Sequence, residues 1–420
     1  MNTIDFQHTK IVATLGPASN NLDALLDLVR EGVDVFRLNF SHGTHDQHAE
    51  VIKMIRYINE KYRIHVGILA DLQGPKLRVG KIKDGTELIQ GEHITFTNQE
   101  HVGDASSAYM NYQSFASDVS PGELVLVDDG KIQLEVVESD GVGEVKLLIK
   151  FGGAFKSNKG VNLPQTKVSL PSLTEKDERD LAFILTQPVN WIALSFVRHE
   201  NDIINLQQKV QAANHSAKLI AKIEKPEALE NIDNIIKHSN AIMIARGDLG
   251  IEVPIERLPI IQKDIIKRCL SRARPVIVAT QMMESMITNP SPTRAEVTDV
   301  ANAVLDGADA VMLSGETAVG DHPALVVQAM NKIIAEAEKA YEMTNMHHST
   351  SEKSTTFYSD MLCFNSAAIS EDIGAKAIIG MTASGYTAFK VSSCRPSSEI
   401  FIFSEDRDIL STLNLVWGVR

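Results

Sequence analysis

The sequence predicts an α/β protein: a (β/α)8 TIM barrel with an inserted all-β lid domain and an incomplete C-terminal α/β domain. Short apolar runs rich in Val and Ile alternate with amphipathic segments of helical period, which predicts parallel strands joined by right-handed crossovers. About eight such units in some 250 residues is the number that closes a barrel. A doubly wound open sheet is the alternative, because periodicity alone does not prove closure.

Each predicted barrel strand is a short apolar run that ends in a polar or glycine-containing turn. In chain order the runs are KIVATLG, VFRLNFS, VGILADL, WIALSFV, LIAKIE, AIMIARGDL, PVIVATQ and AVMLSGE. Segments of helical period lie between and after them, among them LDALLDLVREG, ENDIINLQQKVQAAN, IERLPIIQKDIIKRCL and PALVVQAMNKIIAEAEKAY. The predicted barrel domain therefore takes residues 1–75 and 171–345.

The alternation breaks once, between the third and fourth units. Residues 76–170 form short β-like pieces with Gly and Asp turns, such as HITFTN, ELVLVDDGK and EVKLLIKFGG. We predict an inserted β-barrel domain there, without a helix. Prolines stand at both junctions, in GPK and SLPSL, and suit a hinge, so we expect the domain to move as a lid.

A polar linker, NMHHSTSEKSTT, separates the barrel from residues 346–420, where AIIGMT and IFIFSE predict the two strands of a partial α/β domain. A sheet of only two strands should be poorly covered by other elements, so we expect the chain to derive from a longer parent.

Composition excludes several classes of protein. The chain has 41 basic and 54 acidic residues, a net charge of −13, which argues against a nucleic-acid-coating protein. No apolar run approaches the roughly 18 residues that span a bilayer, and the N-terminus lacks a secretory segment. The three cysteines show no CxxC spacing, which is typical of a reducing compartment. We expect a soluble cytoplasmic enzyme with neither nucleic acid nor membrane as a partner.

Catalytic groups of such barrels lie at the C-terminal ends of the strands. Most of the predicted ends carry ionisable or hydroxyl side chains: Arg37, Asn39 and Ser41 on the second, Asp71 on the third, Lys222 and Glu224 on the fifth, Arg246 and Asp248 on the sixth, Thr280 on the seventh, and Ser314 and Glu316 on the eighth. Alone, Lys222 and Glu224 would be a structural ion pair and GDLG a strand-to-helix turn. An ordinary barrel core would not tolerate the whole set.

These side chains are suited to phosphoryl transfer. Glu224 and Asp248 suit Mg²⁺, which takes one or two protein carboxylates. Lys222 and Arg37 provide positive charge for a phosphoryl group, and the turn after Arg246 offers free backbone N–H donors for an anion. Hydroxyls at the seventh and eighth strand ends could relay a proton. Phosphoryl transfer requires mainly positioning and charge neutralisation.

Ten stretches resemble the pyruvate kinase family in family order: TKIVATLGPAS, VFRLNFSHGTH, DLQGPKLRVG, KGVNLPQ, LTEKD, AKIEKPEALEN, IMIARGDLGIEVP, VIVATQMMESM, PTRAEVTDVANAVLDGADAVMLSGETAVG and TASGYTAFKVSSCRP. The resemblance implies transfer of the phosphoryl group of phosphoenolpyruvate to ADP, giving pyruvate and ATP. It also implies Mg²⁺, with Mn²⁺ as a substitute, and a homotetrameric parent.

The resemblance implies roles for individual residues. Catalytic or phosphoryl-binding roles are implied for Lys222, Arg37, Thr280 and Ser314, with Glu316 beside Ser314. Glu224 and Asp248 would bind the metal, and the Gly247 and Asp248 amides would bind the substrate. The nucleotide would be bound by Asn39, His42, Arg78 and Lys159. Lys159 lies in the inserted domain and is expected to reach the site as the lid closes.

One position departs from a common family pattern. Many members carry a glutamate where this chain has Lys76, and they require K⁺. A lysine ammonium can stand where the monovalent cation would lie, in a region formed by Asn39, Ser41, Asp71, Leu72 and Lys76. We therefore predict that K⁺ is not required. The alternative is that Lys76 is only a solvated hinge lysine.

The stretch SGYT resembles a turn that binds a phosphorylated sugar effector, through Thr382, Ser384 and Thr387. Ala383 and Tyr386 stand where cations are often found, which weakens that hypothesis.

Two rival functions stay open. One is another Mg²⁺-dependent barrel enzyme with an enolate intermediate, such as a phosphoenolpyruvate mutase or a pyruvate-dependent aldolase, which would lack the β insertion. The other is a catalytically silent scaffold.

Overall fold

The computed structural model describes residues 7–340 and 355–420. The predicted boundary at residues 345 and 346 lies outside these ranges. The strands are β1 (Lys10–Thr14), β2 (Val35–Asn39), β3 (Gly67–Asp71), β4 (Glu87–Leu88), β5 (His93–Thr97), β6 (Ser107–Tyr109), β7 (Leu124–Val127), β8 (Ile132–Ser139), β9 (Glu144–Phe151), β10 (Gly153–Ala154), β11 (Val161–Asn162), β12 (Trp191–Leu194), β13 (Lys218–Ile223), β14 (Ala241–Ala245), β15 (Val276–Ala279), β16 (Ala310–Leu313), β17 (Ala377–Met381) and β18 (Glu399–Phe403).

The helices are α1 (Leu22–Arg30), α2 (His45–Tyr62), α3 (Phe115–Asp118), α4 (Glu175–Ile184), α5 (Glu200–Ala212), α6 (Pro226–Glu230), α7 (Ile232–His238), α8 (Arg246–Glu252), α9 (Leu258–Ser271), α10 (Arg294–Leu305), α11 (Gly315–Ala318), α12 (Pro323–Lys339), α13 (Phe357–Asp372), α14 (Tyr386–Ser393) and α15 (Arg407–Leu413). None of the helices in the described ranges is long and apolar enough to cross a bilayer.

Eight strands close into a parallel barrel in the order β1-β16-β15-β14-β13-β12-β3-β2. Closure is direct, because β1 pairs with both β2 and β16. Alternate side chains of each strand face the interior or the helices: Val12 packs with Leu69 and Ile277 inside, whereas Ile11 packs in the layer beneath the helices. The predicted (β/α)8 barrel is confirmed, and the open sheet is excluded.

The insertion between β3 and β12 has its own core and its own sheets. Six strands pair in the order β11-β7-β8-β9-β5-β6, and β4 and β10 form a two-stranded ribbon. The edge strands β6 and β11 do not pair directly, but residues 78 and 79 lie between them: Arg78 bridges Gly160, next to β11, and Val79 bridges Met110, next to β6. These bridges link the two edges of the sheet, as a β-barrel requires. The expectation of no helix is wrong, since α3 forms one short turn.

The C-terminal unit packs against the N-terminal end of the barrel, opposite the predicted site. Trp191 Nε1 donates to the carbonyl of Thr412, and Arg395 pairs with Asp309 just before β16. Its sheet has two parallel strands, as predicted. One face of that sheet is exposed, with Met381 at 84% of its surface, in agreement with the expected poor cover.

Candidate active site

Buried charged groups form a continuous network across the mouth of the barrel, at the ends of β2, β3 and β13. Arg37 Nε donates to Asp71 Oδ2 at 2.7 Å, and its Nη1 donates to Thr14 Oγ1 at 2.9 Å. Lys222 Nζ lies 3.4 Å from Asp71 Oδ1 and 3.0 Å from Glu224 Oε1. Side chains that are far apart in sequence thus meet because parallel strand ends share one rim.

The network sets the charge of its members. Burial by itself raises the pKa of Asp71, but Lys222 and Arg37 outweigh it and hold the pKa below its ordinary value. Burial lowers the pKa of Lys222, and Asp71 and Glu224 more than offset this, so the pKa is raised. Burial raises the pKa of Glu224; Lys222 opposes this, and the nearby Asp248 adds to it. The site therefore holds a charged lysine between Asp71, whose negative charge is stabilised, and Glu224, whose negative charge is not fully compensated.

Asp71→Asn removes the carboxylate that Arg37 and Lys222 share. Because the two cations are left buried without it, we expect a loss of about 3–5 kcal/mol of stability near neutral pH. Since the folded-state pKa of Asp71 is lowered, its contribution is present above the ordinary carboxyl pKa of about 4 and is lost as pH falls through the folded-state pKa. Thermal unfolding across acid pH should show the difference in Tm between the two proteins narrowing; a constant difference would contradict this account.

Two carboxylates, Glu224 and Asp248, are close enough to interact electrostatically. Glu224 Oε2 accepts the Phe196 N–H at 2.7 Å. The Asp248 side chain is partly exposed and makes no hydrogen bond or ion pair with any described residue. Among the residues that the structure describes, no three His, Cys, Asp or Glu side chains are grouped to hold a metal. A cation here would rest on this pair, waters and substrate oxygens, which fits Mg²⁺.

A strained turn after β15 presents Thr280 at the mouth. Thr280 and Gln281 both have left-handed backbone, with φ of 72° and 55°, a conformation that is costly for a β-branched residue. Arg246 Nη2 donates to the Thr280 carbonyl at 2.8 Å, while the guanidinium binds both oxygens of Asp299 at 2.7 Å. The end of β14 therefore holds the strained turn in place, and such strain concentrates at functional sites.

The prediction that Gly247 offers a free backbone donor is wrong for this structure. Its N–H donates to Thr280 Oγ1 at 2.6 Å, and that hydroxyl donates to the Ala279 carbonyl, also at 2.6 Å. The left-handed turn points the Thr280 hydroxyl at α8, so the amide is satisfied locally. Asp248 is in the first helical turn, where amides have no intrahelical partner.

Glu316 organises the loop that carries Ser314. Its Oε2 accepts the Ser314 N–H at 2.7 Å and its Oε1 accepts the Met283 N–H at 3.2 Å. Glu316 is buried, and burial raises its pKa, which its two backbone hydrogen bonds oppose. Ser314 itself is partly exposed at the end of β16.

The residues expected to bind the nucleotide fall into two groups. Asn39 is the last residue of β2, and its Oδ1 accepts the Ser41 N–H at 3.0 Å. His42 lies in the loop that follows and is exposed. Arg78 and Lys159 both lie in the insertion. Arg78 Nη1 donates to the Asn158 carbonyl at 2.8 Å, and Lys159 Nζ pairs with Asp128 at 2.8 Å.

Lys76 lines a cleft between the barrel and the insertion. Gly160 and Asp248 line the same cleft. Lys76 makes no ion pair with any described residue, and the Asp71 carboxylate, which the sequence places in the same region, is occupied by Arg37 and Lys222. The Leu72 carbonyl accepts a hydrogen bond from the Ser195 hydroxyl.

The SGYT loop satisfies much of its own hydrogen bonding. Thr382 Oγ1 and Ser384 Oγ accept backbone N–H groups of the loop at 2.9 and 3.4 Å. The Tyr386 hydroxyl donates to Asp360. The Thr387 hydroxyl is buried without a hydrogen-bond partner among the described residues.

Two site residues escape the sequence reasoning. Ser195, at the end of β12, accepts from Lys222 Nζ at 2.7 Å and so orients the lysine. Thr14, at the end of β1, accepts from Arg37. Both follow apolar runs, in WIALSFV and KIVATLG, so the strand-end rule would have found them if it had been applied to all eight strands.

Comparison with known families shows the family to which this chain belongs. Residues 6–327 match the family model described as pyruvate kinase, barrel domain, and residues 360–420 match the model described as pyruvate kinase, alpha/beta domain. The chain belongs to the pyruvate kinase family. The resemblance drawn from the ten motifs is therefore confirmed.

Curated members of the pyruvate kinase family align with nearly the whole chain. The pyruvate kinase of Corynebacterium efficiens is 43% identical over 415 residues, which cover 99% of this chain and 86% of that protein. That of Corynebacterium glutamicum is 44% identical over 413 residues, 98% of this chain and 86% of that protein. That of Geobacillus stearothermophilus is 42% identical over 416 residues, 98% of this chain and 70% of that protein. These similarities identify the chain as an enzyme of the pyruvate kinase family.

Proposed function

We propose that this enzyme transfers the phosphoryl group of phosphoenolpyruvate to ADP, giving pyruvate and ATP, with Mg²⁺ and without a need for K⁺. The observation that carries the proposal is the network at the barrel mouth, where Lys222 and Arg37 lie beside the carboxylates of Asp71 and Glu224. Such a cluster of fixed charges is suited to a reaction that depends on positioning and charge neutralisation.

Lys222 and Arg37 neutralise the phosphoryl group in this proposal. The bond between the enol oxygen and phosphorus breaks, and a bond from the terminal phosphate oxygen of ADP forms. The raised pKa of Lys222 keeps the ammonium charged through the cycle, and Ser195 holds it in place. Asn39, His42, Arg78 and Lys159 bind the nucleotide phosphates, Lys159 after release from Asp128.

Substrate binding and proton delivery are linked through Thr280. The substrate carboxylate replaces the Thr280 hydroxyl as the acceptor for the Gly247 N–H, with the Asp248 amide as a second donor. This frees the hydroxyl to face the enolate carbon, which must gain a proton to become pyruvate. Ser314, whose loop Glu316 holds, lies on the neighbouring strand end and completes the proton path.

Glu224 and Asp248 would hold Mg²⁺, or Mn²⁺ in its place, and the cation would neutralise charge on the substrate oxygens. Burial raises the pKa of Glu224 and the nearby Asp248 adds to this, so a bound cation would offset the charge of the pair.

Lys76 takes the place of the monovalent cation in this proposal. Lys76 lines the cleft that Asp248 also lines, and it makes no ion pair with any described residue. Asn39, Ser41, Asp71 and Leu72 surround the region that a monovalent cation would otherwise occupy.

Two further features belong to the proposal. The family resemblance supports a homotetramer, which light scattering on the purified chain tests. It also supports a phosphorylated effector at Thr382, Ser384 and Thr387, which a titration of sugar phosphates against activity tests; an unchanged rate and Tm at saturation would reject that site.

The proposed reaction is tested by a coupled assay of ADP-dependent pyruvate release from phosphoenolpyruvate, in Mg²⁺ buffer free of K⁺. We expect pyruvate and ATP in equal amounts. Phosphonopyruvate as the product would favour the mutase, and an inactive but folded protein would favour the silent scaffold.

A further inference from the structure

Glu252, the last residue of α8, connects the barrel with the insertion. Its Oε1 accepts a hydrogen bond from Asn162 Nδ2 at 2.9 Å and lies 2.7 Å from Lys225 Nζ. Asn162 belongs to β11 of the insertion, whereas Lys225 follows β13 of the barrel. One carboxylate oxygen therefore joins three separate elements.

Each of these elements carries a residue of the proposed reaction. Lys225 directly follows Glu224. Asp248 lies four residues before Glu252 in α8, so the two carboxylates are on the same face of the helix. Asn162 lies three residues after Lys159. A change at Glu252 can therefore alter the positions of Glu224, Asp248 and Lys159.

The contact is buried and only partly satisfied. The Glu252 side chain is 1% exposed, and its second oxygen, Oε2, has no hydrogen-bond partner among the described residues. The free-energy cost of burying a carboxylate rises further when it loses a hydrogen-bond donor. The position of β11 therefore affects the stability of the buried Glu252 carboxylate. Asn162, Lys225 and Asp248 all line the cleft between the two domains.

We propose that Glu252 is a positioning residue that couples closure of the inserted domain to the arrangement of Glu224 and Asp248. The inference rests on the proposed function for the roles of those carboxylates and of Lys159. When β11 is in place, Asn162 donates to Glu252, and α8 and the end of β13 hold the two carboxylates in position. When β11 moves away, Glu252 loses this donor and the constraint on α8 and β13 weakens.

Asn162→Asp tests the proposal, because it keeps the size of the side chain and places a second carboxylate against Glu252. We expect faster hydrogen–deuterium exchange of metal-free protein around residues 159–162 and 246–252. We also expect an affinity for Mn²⁺ alone that is about tenfold weaker, although Asn162 is not a ligand, and a higher KM for ADP. Asn98→Asp is the matched control, since Asn98 bonds only residues of the insertion, Val142 among them; it should behave as wild type.

The double variant Asn162→Asp with Glu252→Gln restores one amide facing one carboxylate. Under the proposal it recovers the exchange rate and most of the Mn²⁺ affinity, which a general loss of packing would not do. Wild-type exchange and Mn²⁺ affinity in Asn162→Asp, or no recovery in the double variant, would overturn the inference. Exchange and Mn²⁺ binding need no turnover, so they decide this inference even if the assay of pyruvate release fails.

Discussion

Replacement of Lys222 by methionine is expected to lower kcat for pyruvate formation by about 10²–10³-fold, the cost typical of removing one preorganised group that stabilises transition-state charge. Methionine keeps much of the length of the side chain but removes the ammonium that faces Asp71, Glu224 and Ser195. The coupled assay measures kcat, and circular dichroism of the same sample reports whether the barrel is folded.

Lys218 offers a matched control for this experiment. It begins the same strand, four residues earlier, and its ammonium lies 5.5 Å from the ring centre of Phe389, at the opposite end of the barrel. Lys218→Met should change kcat by less than about twofold, as expected for a change remote from the site. Equal losses in both variants, or a Lys222→Met enzyme with more than about a tenth of wild-type kcat, would remove Lys222 from the reaction.

A change of the K⁺ requirement is expected for Lys76→Glu. The substitution replaces a cation in the cleft near Asp248 by a carboxylate, which leaves negative charge where the proposal puts a positive one. We expect activity without K⁺ to fall by about 10²-fold, a loss of some 2.7 kcal/mol, and added K⁺ to restore most of it. Wild-type activity should be the same in K⁺ and in a tetramethylammonium salt.

The control for Lys76→Glu is Lys81→Glu, which makes the same charge change at an exposed lysine of the insertion. It should remain insensitive to K⁺. A wild-type enzyme that K⁺ stimulates severalfold, or a Lys76→Glu enzyme that ignores K⁺, would show that Lys76 is a solvated hinge lysine.

The sequence predicts those parts of the site that follow from periodicity. Lys222 and Glu224 are two residues apart at a strand end, so the sequence predicts that both lie on the same face of the strand. The structure places Lys222 Nζ 3.0 Å from Glu224 Oε1. The same rule places Arg37 and Asp71 on adjacent strands. Strand periodicity can be read from the sequence, and the strands of a parallel barrel all end at one rim. These two facts are enough to predict the barrel and the residues at its strand ends.

Other features depend on information that no periodic pattern holds. Thr280 has left-handed backbone and its hydroxyl accepts the Gly247 N–H, while its carbonyl is held by Arg246 from the start of α8. The contact between Asn162 and Glu252 joins residues 90 apart, across two domains. Such contacts result from tertiary packing, and neither a motif nor a strand-end rule predicts them.

In the proposed reaction, phosphoenolpyruvate and a divalent cation bind together at the barrel mouth. Longitudinal relaxation of the ³¹P nucleus of phosphoenolpyruvate, measured with Mn²⁺ as the cation, tests this most directly, because paramagnetic relaxation falls steeply with distance. We expect strong enhancement with the wild-type enzyme and its loss in Glu224→Gln and Asp248→Asn, both still folded. Substrate and Mn²⁺ that both bind the wild-type enzyme without enhanced relaxation would place them in different sites and contradict the account.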